Sequence, residues 1–206
     1  FVLDDYSPLR LVKAANLKDE AALLPVKKTL LYVERQPLSG RGKAQAGERL
    51  FTAPNPPYGA VFTYWLRDDY KTAKDARHER EKKSTNDFYP SWDSLRAEAR
   101  EDEPTVLLTV TDAKGTVVRR LEGPASGGFH RVAWDLCWSP LAPAELNPRE
   151  RGEFDDGTDA PFAVPGTYTV SLAKRLDGVT TALGAPQTFE VVALDNPALT
   201  PADREA

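Results

Sequence analysis

Alternating hydrophobic and polar positions dominate the sequence and predict a protein built mainly of β-strands. Residues 167–172 read TYTVSL, which places Tyr168, Val170 and Leu172 on one face and three hydroxyl side chains on the other. A period of two is typical of a strand that buries one face. Other strand-like runs lie at residues 28–34, 60–66, 105–111, 117–121, 131–138 and 187–194. The pattern therefore predicts about seven strands in all.

Turn residues separate several of these runs and predict β-hairpins. The dipeptides Lys114-Gly115 and Asp177-Gly178 each lie between two strand-like runs. Glycine adopts positive φ without steric cost, so such dipeptides are typical of tight connections between strands.

The run AVFTYWL at residues 60–66 is apolar on both faces, which predicts a central or doubly covered strand. It follows the segment PNPPYG, whose prolines favour an extended approach and whose Gly59 permits a tight turn before the strand.

Two helical segments interrupt the β pattern. Residues 70–83 are almost wholly polar, and a helix without an apolar stripe predicts a solvated arm or disorder. Residues 91–100 begin with a capping serine, and Trp92 and Leu95 share a face at helical spacing. We therefore expect the second helix to dock through Trp92, with residues 70–103 forming an insertion between two strands.

Composition and charge narrow the possible functions. The chain has 206 residues, 27 of them basic and 31 acidic, for a formal net charge of −4. This balance gives no electrostatic reason to expect nucleic acid or an anionic membrane as a partner. No run reaches the roughly 20 apolar residues that span a bilayer. Cys137 is the only cysteine, which excludes a disulfide framework and a multi-cysteine metal site.

The stretch GGFHRVAWDL at residues 127–136 holds the chain's most conspicuous polar residues. Trp134 alternates with apolar neighbours and is expected to point into the core. A catalytic His130 would need a nucleophile and an orienting carboxylate, and the spacing specifies neither. Asp135 is expected to bind a turn backbone at the end of the strand. We therefore interpret this stretch as packing and predict no catalytic residue.

Two further patterns suggest binding. The acidic run EFDDGTDAP offers Asp155, Asp156 and Asp159 as weak candidates for calcium, but it lacks the spacing of the twelve-residue calcium loop. A surface turn is the preferred interpretation, and neither a metal nor another cofactor is predicted. Tryptophan side chains that could stack on a sugar ring are found at Trp65, Trp92 and Trp138, although large aromatics are more often core or interdomain contacts.

Several segments together resemble a known family. FVLDDYSPLR at residues 1–10 is similar to the closing segment of the β-propeller in large exported bacterial proteins, the sortilin-like or bacterial-neuraminidase-repeat glycosyl hydrolases. The segments NPPYGAVFTYWL, VLLTVTDAKGTVVRRL, GGFHRVAWDL and PFAVPGTYTVSL follow in the order of the Ig-like domain after those propellers. The last two also resemble the G-x-H-x-V-x-W-D and P-x-G-x-Y pattern of the Ig-like domain in flagellar hook-cap scaffold proteins.

The resemblance implies an exported Ig-like β-sandwich. We expect residues 1–24 to be the tail and linker of a preceding propeller, and residues 25–195 to form the sandwich with its insertion at 70–103. Residues 196–206 would begin a following segment, since TPADREA has the pattern of a helix start. The chain is thus expected to be a piece of a longer polypeptide.

Within this sandwich, Trp134 and Tyr168 are the expected core anchors, and Gly128 and Gly166 the expected turn residues. The first hypothesis for function is a non-catalytic accessory module that packs on, or spaces, the neighbouring propeller. The alternatives are a carbohydrate- or protein-binding module, and a domain that lends a substrate wall to a glycosyl hydrolase or peptidase-like parent.

Overall fold

The computed structural model describes residues 6–14, 17–32, 56–84, 89–140 and 160–194, and these fold mainly as β-strands. The strands are β1 (Ala21–Leu23), β2 (Thr29–Leu31), β3 (Ala60–Leu66), β4 (Thr105–Thr111), β5 (Val117–Gly123), β6 (Gly128–Trp134), β7 (Gly166–Leu176) and β8 (Val179–Ala193). The helices are α1 (Ala73–Lys83), α2 (Trp92–Glu98) and a short 3-10 helix, η1 (Ser7–Leu11). The expectation of a mainly β protein is confirmed. The finer count of seven is not confirmed, since the described residues form eight strands.

The strands form two sheets. One has the order β1-β3-β6 and is antiparallel throughout. The other has the order β2-β8-β7-β4-β5, in which β2 runs parallel to β8 and the remaining pairs are antiparallel. The apolar run at 60–66 lies in the centre of its sheet, as a strand apolar on both faces should.

The buried faces of the two sheets share one core. Alternate positions of β4 and β7 are buried, as the two-residue period of hydrophobic positions in the sequence predicts. Aromatic rings join the sheets: Trp134 of β6 lies 5.3 Å from Tyr168 of β7, and Phe62 of β3 lies 5.5 Å from Phe189 of β8. Edge-to-face pairs at these distances stabilise a core beyond the area that they bury.

The first strand lies within the range expected to be a tail. Residues 21–23 pair with β3 in register, with Ala21 opposite Leu66 and Leu23 opposite Tyr64. Ala21 and Leu23 are buried in the core, so the sheet begins before residue 25. Of the expected strand at 28–34, β2 covers Thr29–Leu31, and residues 33 and 34 lie outside the described residues.

The run predicted as one strand at 131–138 is interrupted. Strand β6 begins at Gly128, ends at Trp134, and is followed by Leu136 with a φ of 59°. Asp135 accepts a hydrogen bond from the backbone N–H of Cys137 at 3.0 Å, which closes a turn. Side-chain bonding to a nearby backbone group competes with the strand ladder and ends it here.

Three glycines lie where the chain enters a strand, and their surroundings differ. Gly59 has a φ of +94°, and a Cβ atom there would lie 1.9 Å from the carbonyl oxygen of Trp134. Gly166 was expected to be a turn residue, but it is the first residue of β7 and pairs with Val191. A Cβ at Gly166 would find its nearest neighbour 3.9 Å away, at Val164. Gly128, the other expected turn residue, is likewise the first residue of its strand, β6, and has a φ of +114°.

Candidate functional site

The histidine of the GGFHRVAWDL stretch has one ring nitrogen bonded to a nearby backbone oxygen. Its Nε2 lies 2.6 Å from the backbone oxygen of Ser126 and 3.5 Å from the hydroxyl of the same residue. A nitrogen this close to a carbonyl oxygen carries a proton and donates it, so it cannot also accept the proton of the serine hydroxyl. The imidazole of His130 also packs 5.2 Å from the ring of Tyr64. This geometry is that of a packed surface histidine.

Trp134 is buried completely, and its indole N–H donates to the backbone oxygen of Cys137 at 2.8 Å. Tyr168 is buried as well, and its hydroxyl donates to the backbone oxygen of Val164 at 2.6 Å. Burial raises the pKa of Tyr168. Both polar groups are satisfied inside the protein, as buried aromatic donors must be.

The three tryptophans considered for sugar stacking lie in different places. Trp138 packs against the core, and its backbone oxygen accepts from Arg119 at 2.9 Å. Trp65 lies on the outer face of the three-stranded sheet, in register between Ala22 and Phe129, and is only partly exposed. Trp65 and Trp138 are thus both partly buried, whereas Trp92 is 79% exposed.

The insertion at 70–103 contains two short helices, Ala73–Lys83 and Trp92–Glu98, which together with Tyr89 just before the second helix we call the arm. Thr72 caps the first helix, because its hydroxyl accepts from the backbone N–H of Asp75 at 3.1 Å. Ser91 caps the second helix in the same way, accepting from Ser94 at 3.2 Å. Neither helix contains a buried residue. Capping hydrogen bonds and ion pairs therefore stabilise these helices in place of a buried apolar face.

One arginine joins the two helices of the arm. The guanidinium of Arg77 donates to both carboxylate oxygens of Glu98, with its NH2 group 2.9 Å from Oε2. It also donates to Glu81 at 2.6 Å, one helical turn away. The side chains of Arg77 and Glu98 are only 17% and 11% exposed. The guanidinium holds the pKa of Glu98 below its ordinary value, chiefly through the hydrogen bonds between them.

Polar contacts also fix the base of the arm to the sheets. The backbone N–H of Tyr70 donates to Ala125 at 2.9 Å, and that of Gly127 donates to the carboxylate of Asp69 at 2.7 Å. The Gly127 contact is the main cause that lowers the pKa of Asp69. Lys71 then reaches forward to Glu79 on the first helix, at 2.6 Å. The arm is therefore attached through directional bonds at its root.

The expectation that the second helix docks through Trp92 is wrong. Trp92 is 79% exposed, and neighbouring Tyr89 is 89% exposed. Ser91, Ser94 and Glu98 line the cleft towards the first helix. Trp92 follows Ser91 by one position and so points about 100° away from that face. The dominant contact is the ion pair of Arg77 and Glu98, which turns the tryptophan outwards.

The candidate metal ligands Asp155, Asp156 and Asp159 lie outside the described residues. Within the described residues, no group of three or more His, Cys, Asp or Glu side chains could hold a metal ion. Cys137 is buried, and burial followed by the charge of Asp135 raises the pKa of its thiol. A buried thiol with a raised pKa is unreactive as a nucleophile.

No family model matches the sequence, and no curated protein or solved structure is significantly similar to it. The described helices include none that is long and apolar enough to cross a membrane.

Sequence reasoning missed two parts of this surface. Tyr89 lies next to Pro90 in a polar stretch, and nothing in that pattern distinguishes an exposed tyrosine from a buried one. The pairing of Arg77 with Glu98 joins positions 21 residues apart, and their separation matches no helical or strand spacing. Only the fold of the arm brings them together.

Proposed function

We propose that the protein is a non-catalytic accessory module with an Ig-like β-sandwich fold, which belongs to a larger exported protein and packs on or spaces a neighbouring β-propeller. The observation that supports this most directly is the exposure of Tyr89 and Trp92, at 89% and 79%, on an arm that buries no residue of its own. A pair of helices without a buried face gains little stability by packing on the sheets of its own domain. We infer that its role is to contact a partner.

The composition of the arm fits a protein-binding surface. Interfaces concentrate tyrosine, tryptophan and arginine at their centres and surround them with polar side chains. Tyr89 and Trp92 supply the aromatic centre. The exposed charged side chains of the first helix, including Arg80 and Lys82, supply a polar rim.

The attachment of the arm supports a positioning role. Asp69 and Tyr70 hold its root through backbone hydrogen bonds, and Arg77 holds the second helix to the first. Ordered side chains lose less conformational entropy on binding than freely moving ones. The arm therefore presents its aromatic pair at a defined distance from the sheets, as a spacer or docking element requires.

His130 is bonded to a backbone oxygen rather than to a carboxylate that would orient it, and Cys137 is buried with a raised pKa; both favour an accessory role over an enzymatic one. The second candidate is a carbohydrate-binding module. It is favoured by the same aromatic pair, because exposed tyrosine and tryptophan rings stack on sugars as readily as on proteins.

Calorimetry with the β-propeller domain of the same polypeptide tests the proposal. The wild-type chain should bind, and the double variant Tyr89→Ala, Trp92→Ala should bind at least about tenfold more weakly with unchanged thermal stability. Phe129→Ala, which removes another exposed aromatic from the outer face of the three-stranded sheet, is the matched control and should retain full affinity. Equal affinity of the double variant and the wild type would contradict the proposed role of the arm.

The same titration with a panel of glycans and muropeptides, beside a hydrolysis assay, separates the candidates. Glycan binding that depends on Trp92 and occurs without turnover would support the carbohydrate-binding module. Turnover by the isolated chain would overturn the non-catalytic assignment.

A further inference from the structure

Three separate segments of the chain meet at the carboxylate of Glu20, the residue directly before β1. Its Oε1 accepts a hydrogen bond from the hydroxyl of Tyr70 at 3.0 Å and another from the ammonium group of Lys174. Tyr70 lies two residues before the cap of the first arm helix, and Lys174 belongs to β7. We call these three residues the Glu20 junction. It joins the start of the first sheet, the root of the arm and the second sheet at one point.

The segment that carries Glu20 is also bound to the end of β3. The backbone N–H of Arg67 donates to the carbonyl oxygen of Glu20 at 3.0 Å, and the guanidinium of Arg67 donates to the carbonyl oxygen of Lys18 at 3.2 Å. Arg67 follows β3 directly and lies three residues before Tyr70. We call residues 18–20 the entry segment. Its position therefore determines where the carboxylate of Glu20 meets the hydroxyl of Tyr70.

Charge stabilises the Glu20 junction. The hydrogen bond from Lys174 is the main cause that holds the pKa of Glu20 below its ordinary value, so the carboxylate is ionised at neutral pH and accepts from both donors. The side chain of Lys174 is only 19% exposed, whereas that of Glu20 is 45% exposed. A carboxylate that is accessible to water can leave its partners by rotation of its own side chain, without unfolding of either sheet.

The root of the arm has two kinds of anchor, and only one of them joins two side chains. The backbone N–H of Tyr70 donates to Ala125 at 2.9 Å, and that of Gly127 donates to Asp69 at 2.7 Å. The contact between Tyr70 and Glu20 uses side chains alone. Because neither arm helix contains a buried residue, the orientation of the arm depends on these root contacts. We therefore expect loss of the Glu20 contact to change the orientation of the arm without unfolding the sheets.

A second arrangement of the junction needs no carboxylate. The ammonium nitrogen of Lys174 lies 5.0 Å from the ring centroid of Tyr70, which is within the range of a cation–π contact. If Glu20 leaves, Lys174 and Tyr70 keep this contact with each other. The Glu20 junction thus has a bridged form, and a second form in which β7 contacts the root of the arm without the entry segment.

We propose that the Glu20 junction is a conformational coupling between the entry segment and the arm. While Glu20 bridges Tyr70 and Lys174, the arm is held in one orientation, and a partner that binds the entry segment and withdraws Glu20 releases it. Such coupling is reciprocal, so a partner bound to the oriented arm also stabilises the entry segment. The purpose of the coupling rests on the function proposed for the arm, whereas the coupling itself is measured without any partner.

Distances between two spin labels, measured by double electron–electron resonance, test the coupling. Arg80→Cys places one label on the first arm helix, Lys114→Cys places the other on the hairpin between β4 and β5, and the native Cys137 is replaced by alanine. With the junction intact, the labels should give one narrow distance distribution. Glu20→Gln, which keeps the size of the side chain and removes its charge, should broaden this distribution at least about twofold or add a second maximum. Tyr70→Phe, which removes only the hydroxyl, should change it in the same direction.

Glu122→Gln is the matched control, because it weakens an exposed ion pair with Arg175, the neighbour of Lys174 on β7. It should leave the distance distribution unchanged. Hydrogen exchange separates coupling from a general loss of stability, since Glu20→Gln should speed exchange of the Tyr70 amide roughly tenfold while the amides of β4 stay protected. An unchanged distance distribution in Glu20→Gln, or an equal loss of protection in all strands, would overturn the proposal. These readouts need no partner, so a failed titration with the propeller domain would contradict only the function proposed for the arm.

Discussion

Trp134 shows how much of the core depends on a single side chain. Its indole is completely buried, contacts the rings of Tyr168 and Phe189 from the opposite sheet, and satisfies its N–H on Cys137. The alternation of the sequence predicts that it points inwards, but the two rings that it contacts lie 34 and 55 positions away in the chain.

Replacing Trp134 with alanine should lower the free energy of unfolding by about 3–5 kcal/mol, because it leaves a cavity between the sheets. Urea denaturation followed by circular dichroism measures this loss. Trp92→Ala, at an exposed site, is the matched control and should change stability by less than about 0.5 kcal/mol. Similar losses in both variants would contradict the assignment of Trp134 to the core.

Gly59 is constrained by both its backbone and its surroundings. With a φ of +94° and a virtual Cβ only 1.9 Å from a backbone oxygen, it cannot accept a side chain without moving β6. Gly59→Ala should therefore cost at least about 2 kcal/mol of stability.

Gly166→Ala provides the contrast. Its virtual Cβ meets nothing closer than 3.9 Å, and alanine restricts the unfolded chain more than glycine does. We expect this variant to be as stable as the wild type or up to about 1 kcal/mol more stable. Thermal melts of the two variants side by side measure the difference. If the Gly59→Ala and Gly166→Ala proteins had the same melting temperature, the turn before β3 would be able to accommodate a side chain.

At the scale of elements, the arm is held by charge and its stability depends on pH. The pKa of Glu98 in the folded protein lies below its ordinary value because Arg77 binds the carboxylate. The pairing therefore stabilises the arm fully above that ordinary value. Its contribution is lost as pH falls through the lower, folded-state pKa.

Hydrogen exchange of the arm helices, corrected for intrinsic rates, should rise below about pH 4 while the strands stay protected. Glu98→Gln should raise the exchange of the arm at neutral pH and remove most of this pH dependence. Glu122→Gln, which weakens an exposed pairing with Arg175, serves as the control and should leave the arm unchanged. Persistent protection of the arm in Glu98→Gln would contradict the role of the ion pair.

The end of β6 shows what the alternation of hydrophobic and polar residues does not predict. Val132, Trp134, Leu136 and Trp138 alternate as one strand would, and all are buried or partly buried. The ladder nevertheless ends at Trp134, since the Asp135 side chain closes a turn and Ala163 donates to the oxygen of Leu136 instead. Alternation predicted which side chains are inside, but not which backbone groups pair.

At the scale of the whole molecule, Cys137 reports on the integrity of the two sheets. It lies after β6, where its isolated bridge to Phe162 joins two connections near the core. Because it is the chain's only cysteine and is buried, a thiol reagent can reach it only when this corner opens.

Labelling of Cys137 by Ellman's reagent should be slow in the native protein and should accelerate with urea in parallel with loss of β structure. Because the pKa of the buried thiol is raised, little reactive thiolate is present in the native protein at neutral pH, which also keeps labelling slow. Rapid labelling without denaturant would show that the corner opens independently of the sheets.

The sequence by itself determined the mainly β character, the inward faces of β4 and β7, the central position of β3 and the cap of the second arm helix. These features depend on interactions between residues at most a few positions apart, and alternation and capping are visible at that range. Tertiary structure decided the outward turn of Trp92, the pairing of Arg77 with Glu98 and the end of β6. Each of these requires segments distant in sequence to meet, and their meeting depends on the packing of the whole chain, which no local pattern encodes.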